Sequence, residues 1–107
     1  LQKKRKHMII YNVTVNVEKD VIDQWVSWMK ETHIPDVLAT GYFHDHRMLR
    51  LLNETEGEGE TFAIQYYAEN LEQLEKYMLE EAPRLKQDHF AKFQNKCVSF
   101  RTFLETM

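Results

Sequence analysis

The chain has 107 residues, 43% of them apolar and 29% charged, with three glycines, two prolines and one cysteine. A length of this order supports one compact domain that removes roughly two-thirds of its unfolded surface from water, and the composition excludes a disordered or low-complexity chain. The net charge of −3 is unevenly placed: residues 1–7 hold four of the 14 bases and no acid, leaving ten bases against 17 acids, or −7, on residues 8–107.

An acidic body lacks the basic face that phosphate neutralisation needs, so no nucleic-acid partner is expected. The basic run at residues 3–6 reads as part of a disordered tail or expression remnant covering residues 1–7, with Met8 opening a single domain over residues 8–107. The longest apolar stretch, residues 8–17, is interrupted by Asn12, Thr14 and Asn16. It can neither span a bilayer nor serve as an export signal, so a cytoplasmic protein with no membrane partner is expected. Cys97 is the lone cysteine, which excludes an internal disulfide and a thiol-rich metal site.

In chain order, Ile9, Tyr11, Val13, Val15 and Val17 alternate with polar residues and predict a first strand. Val21, Ile22, Trp25, Val26, Trp28 and Met29 recur at helical spacing behind Asp20, predicting a helix over about 21–32. Pro35 follows, then one further turn that Gly41 ends. Residues 42–52 read as a second strand and 61–68 as a third, joined by the acidic, glycine-bearing stretch 53–60 as a hairpin. Asn70 caps a second helix with Gln73 at the capping-box position, and Pro83 breaks it before it resumes to about residue 94. Val98, Phe100, Thr102 and Leu104 alternate with Ser99, Arg101 and Phe103 in a fourth strand.

The order β-α-β-β-α-β predicts an α+β, ferredoxin-like fold: a four-stranded antiparallel sheet with helices on one face. The other face must then carry Asn12, Thr14 and Asn16, Gln65 and Tyr67, and Ser99, Arg101 and Phe103. Strand two is ambiguous; burying Arg50 unpaired would be costly, so His44, His46, Met48 and Arg50 are assigned to the open face as well. Such a face is too apolar for solvent and too polar for a dry core, and reads as a homodimer interface enclosing a wet pocket.

Asn12, Arg50, Gln65, Tyr67 and Arg101 are the expected ligand-binding set, the two guanidiniums asking either for an anionic ligand or for an acid within the protein. His44 and His46 share one side of a strand as metal ligands do, yet no third ligand stands at supporting spacing, so no metal is expected. His33 ends the first helix where access loops sit in small α/β folds, and it and Tyr67 are the candidate proton-transfer groups; helix capping is the plainer reading of His33 and stands ahead of acid-base catalysis. No nucleophile elbow, phosphate-cradling loop or dinucleotide fingerprint occurs, and no cofactor is expected.

The opening Met8-Ile9-Ile10-Tyr11-Asn12-Val13-Thr14-Val15, the segment from Trp28-Met29 through His33-Ile34-Pro35 to Gly41, and the closing Phe100-Arg101-Thr102 resemble the bacterial DUF4286 family of unknown function. The likeness runs from Met8 to the end. It implies kinship with the dimeric α/β barrel superfamily, in which two ferredoxin-like sheets close face to face; members include cofactor-independent monooxygenases, isomerases and haem-handling enzymes. It therefore implies a homodimer with a pocket, and carries no catalytic residue across. The expected function is binding of a small organic, possibly anionic, ligand, with a cofactor-independent monooxygenase- or isomerase-like enzyme and a non-catalytic interaction module as alternatives. Whether the chain is an enzyme stays open at this point.

Overall fold

The computed structural model describes residues 7–53 and 59–107, so the basic run at 3–6 and the tip of the acidic hairpin lie outside the described residues. The elements are β1 (Ile9–Glu18), a 3-10 turn (Lys19–Val21), α1 (Ile22–Trp28), a π-helical segment (Met29–His33), α2 (Ile34–Ala39), β2 (Asp45–Arg50), β3 (Gly59–Ala68), α3 (Leu71–Glu80), α4 (Ala82–Phe93), a 3-10 turn (Gln94–Lys96) and β4 (Cys97–Glu105). The four strands form one antiparallel sheet in the order β2-β3-β1-β4, the expected ferredoxin-like arrangement. Among the described residues no helix is long and apolar enough to cross a membrane.

The first helical region is longer than its periodicity suggests. Rather than stopping at Thr32, it runs from α1 through five π-helical residues directly into α2, with Pro35 just past the junction between the π segment and α2. The π segment accommodates one extra residue, so Trp25 and Met29, four apart, and Ile34 and Val37, resuming after a step of five, all reach the core. Asp20 is not the cap expected of it. It lies in the preceding 3-10 turn and pairs with Lys96 Nζ at 2.9 Å, tying the start of this helix to the start of β4.

Asn70 does cap α3, its side-chain oxygen accepting from the Gln73 backbone N–H at 2.9 Å, and the helix breaks at Glu81, with Pro83 in the first turn of α4. Gly41 sits at φ +83°, beyond the end of α2, where its N–H donates to the Leu38 carbonyl. The core lies between sheet and helices. Tyr11, Phe43, Tyr66 and Tyr77 stack beside Val15, Val17, Ile64, Leu74 and Leu85, and Trp25 packs on Phe62 with centroids 4.9 Å apart.

Strand pairing corrects the expected faces of β2 and β4. Arg101 lies opposite Val13, Ser99 opposite Val15 and Phe103 opposite Tyr11, which puts all three on the helix side. His46, Met48 and Arg50 lie opposite Tyr66, Ile64 and Phe62, also on the helix side, whereas Asp45, Arg47 and Leu49 share the open face with Gln65 and Tyr67. The charge argument for Arg50 fails because β2 is an edge strand: the side chain stays exposed with its guanidinium 5.5 Å from the Phe62 ring, and no unpaired charge is buried. In β4 the open face carries Val98, Phe100, Thr102 and Leu104, the more apolar set, so choosing the apolar set for the core inverts the strand.

Candidate functional site

The expected ligand set does not come together. Asn12, Gln65 and Tyr67 lie on the open face, Arg50 at the far edge strand, and Arg101 on the helix side of the opposite edge. Gln65 accepts from Arg47 at 3.0 Å, and the same guanidinium lies over the Tyr67 ring at 5.8 Å. Asn12 is buried and donates to the Thr14 and Thr102 hydroxyls at 3.0 and 3.2 Å, while its side-chain oxygen has no partner among the described residues. Tyr67 is thus separated from His33 by the sheet. His44 precedes β2 and is exposed, His46 is half-buried, and among the described residues no cluster of three or more His, Cys, Asp or Glu could hold a metal.

A different constellation surrounds Arg101. Between β4 and the helices a cleft opens with an inner cavity of about 30 Å³, bounded by Tyr11, His33, Tyr77, His89, Ser99 and Arg101, and an outer one of about 200 Å³. Lys86, His89, Ser99 and Arg101 line both. The inner part has room for one or two waters, so anything larger must lie in the outer part and send only one end inward.

Each side chain arrives for a local reason. Arg101 is carried by the inward alternation of β4, and its Nε–H donates to the Tyr11 hydroxyl oxygen at 3.1 Å and Nη1 to Ser99 Oγ at 3.4 Å. His89 sits one turn before Phe93 on the inner face of α4 and accepts the Trp25 indole N–H on Nε2 at 2.9 Å. With Nε2 an acceptor, the neutral ring carries its proton on Nδ1. His33 ends the π segment, stacks on Trp28 at 4.9 Å and faces His89 at 5.8 Å between centroids; among the described residues its imidazole makes no hydrogen bond.

Burial holds the His33 imidazole down to about 4, with Asp88 pulling it up and Arg101 pushing it further down. Burial does the same to His89, down to about 4, reinforced by His33 and Arg101. Both rings are neutral at pH 7. Burial and then Arg101 also lower Lys86, while the Tyr11 hydroxyl is raised by burial against the pull of Arg101. Cys97, at the outer rim, is pushed up to about 11 by burial and Glu18, so it stays a thiol and is a poor nucleophile.

Electrostatically the cleft is a cationic recess in an acidic protein. Lys76, Arg84 and Lys96 on the surface each lie within 4.0 Å of a carboxylate. Among the described residues Arg101 and Lys86 have no such partner, as is also true of Lys19, Lys30, Arg47, Arg50 and Lys92; what sets Arg101 and Lys86 apart is that they stand together along one cleft. Chemically, the site can receive a negative group at Arg101 and Lys86, donate from His89 Nδ1 and accept a proton at His33.

Sequence reasoning singled out His33 and Arg101 and missed His89, Lys86, Ser99, Tyr11 and Trp25. One signal was available: His89 and Phe93 stand four apart on a helix face, so the imidazole belongs to the buried side.

The family model described as Domain of unknown function (DUF4286) matches residues 8–107. No protein of curated function matches the sequence. Among solved structures, a dimeric ferredoxin-like protein from an uncultured marine organism is 12% identical, with 94% of this chain and 96% of that one covered at a TM-score of 0.70. An ethyl tert-butyl ether D (EthD) family protein from Bacillus halodurans is 15% identical over 92% and 99% at 0.69. A putative antibiotic biosynthesis monooxygenase from Nitrosomonas europaea is 9% identical over 99% and 96% at 0.66. At these identities the likeness establishes the shared fold.

Proposed function

The chain belongs to the DUF4286 family, and on that premise we propose that it is a homodimeric binding protein that takes a small organic anion into the cleft between β4 and α4. The observation that carries this reading is Arg101, half-buried beside Lys86 with hydroxyl partners alone among the described residues. Two cations brought together without a carboxylate repel each other, and a bound carboxylate or phosphate relieves that repulsion while filling the free guanidinium donors.

The dimer rests on the opposite sheet face. Val98 is 73% exposed, Phe100 59% and Leu104 42% along β4, and Leu49 40% on β2, so large apolar side chains stand in water at both edges of this face. A second copy is the fitting occupant because one structural neighbour, the protein from an uncultured marine organism, is a dimeric ferredoxin-like protein. Burial of about 1,000 Å² or more in total would keep such a dimer together at micromolar concentration. Light scattering should give twice the chain mass, and Phe100→Glu should give one; a wild type of single mass removes the dimer.

Small carboxylates and phosphates should raise the melting temperature, corresponding to about 2.7 kcal/mol at a hundredfold excess over Kd. Arg101→Ala should abolish this response, and Arg50→Ala, at the far edge strand, should leave it intact. A wild type that ignores every anion, or a response that survives Arg101→Ala, overturns the pocket.

A further inference from the structure

We propose that the cleft transfers a proton as well as binding an anion. His33 removes a proton from the carbon beside a carbonyl in a small oxo-carboxylate, His89 hydrogen-bonds the carbonyl oxygen through Nδ1–H, and Arg101 with Lys86 holds the carboxylate. The inference rests on the anion-binding reading and adds to it a reaction and a substrate class.

The division of labour follows from the hydrogen bonds. The Trp25 indole occupies Nε2 of His89, so this ring offers a hydrogen and has no lone pair left for base catalysis. The His33 imidazole has no hydrogen bond among the described residues, and its basic nitrogen is available. The rings stand 5.8 Å apart at 61°, bringing both within reach of one carbonyl-bearing fragment at the inner end of the cleft. Arg101 lines both cavities, at the boundary where a carboxylate on the same small molecule would sit.

The step balances without a cofactor. The C–H bond breaks, its proton passes to the His33 imidazole, and its electron pair forms a carbon–carbon double bond as the carbonyl oxygen becomes an enolate oxygen held by His89. The imidazolium then returns a proton to the same carbon, or to the far carbon of a conjugated chain, giving an isomer. Groups facing His33 are Asp88, Lys86 and His89 from α4, Arg101 from β4, Tyr11 from β1, Tyr66 from β3 and Tyr77 from α3. A bound carboxylate offsets the Arg101 charge and so raises the imidazole somewhat, while burial, the larger cause, continues to hold it down.

The test is hydrogen exchange in D2O with pyruvate, 2-oxobutanoate and acetoacetate, read as loss of the α-proton signal by NMR, beside thermal shifts with the same compounds and with trimethylpyruvate, which has no α-proton. The expected result is exchange above the protein-free rate, at least about a hundredfold slower in His33→Ala while the thermal shift persists. Trp25→Phe should lower the saturated exchange rate with little change in the half-saturating concentration, since it frees the His89 tautomer and leaves Arg101 in place. Binding without exchange, or exchange undiminished in His33→Ala, overturns the proton transfer and leaves the anion site standing. A wild type showing neither shift nor exchange overturns both.

Discussion

Trp25 donates its indole N–H to His89 Nε2 at 2.9 Å, joining a fully buried residue of α1 to a cleft residue of α4. His89→Leu fills much of the same space but removes the acceptor of a donor carried by a fully buried side chain. The expected loss is about 1–3 kcal/mol by urea unfolding, and His89→Gln, which restores an acceptor, should recover part of it.

The two imidazoles also set an acid limit. Each titrates near 6.5 when unfolded and is held down to about 4 in the folded chain, so between those values the unfolded chain binds more protons. The stability contributed by neutral His33 and His89 is therefore complete above about pH 6.5 and declines as pH falls toward 4. Melting temperature measured from pH 7 to pH 4 should drop, and the double variant His33→Gln, His89→Gln should flatten that part of the curve.

Two glycines separate steric from conformational cost. A Cβ on Gly59 would lie 2.4 Å from the Val17 carbonyl oxygen and 2.9 Å from Asn16 Oδ1, where β3 pairs with β1, so Gly59→Ala forces the ladder apart. Urea midpoints should report a loss of about 1–3 kcal/mol. At Gly41 a Cβ meets open space and only φ +83° resists it, so Gly41→Ala should cost about 1 kcal/mol and respond little to repacking nearby.

Gln94, on the lip of the outer cavity, holds φ 42° and ψ −115°, a conformation that glycine adopts far more readily. Gln94→Gly should raise the melting temperature by a few degrees, corresponding to about 0.5–1 kcal/mol. Calorimetry checks it; an unchanged or lower value would mean that the Gln94 side chain offsets its own strain.

Element order, the break before Pro83, the Asn70 cap and the positive φ of Gly41 were all legible because each depends on a few adjacent residues. The faces of β2 and β4 were not. Both are edge strands whose apolar residues are split between two environments, and in β4 Val98, Phe100 and Leu104 outweigh the inward Ser99 and Arg101. Periodicity gives the spacing of a strand, but only pairing with Val13 and Val15 fixes its phase. The candidate site depends on that phase, which is why Arg101 was found as a residue and misplaced as a neighbour of Arg50.

The π segment at Met29–His33 gives the helix one residue more than its core contacts require. An uninterrupted α-helix would bury Trp25, Met29 and the next apolar residue at steps of four; the added residue pushes Ile34 to a step of five and lets His33 turn toward the cleft beside it. Fold and chemistry therefore sit in separate units of sequence length. Removing one position, Thr32, should restore regular helical winding with the apolar contacts of Ile34 and Val37 preserved, while His33 loses its alignment with His89.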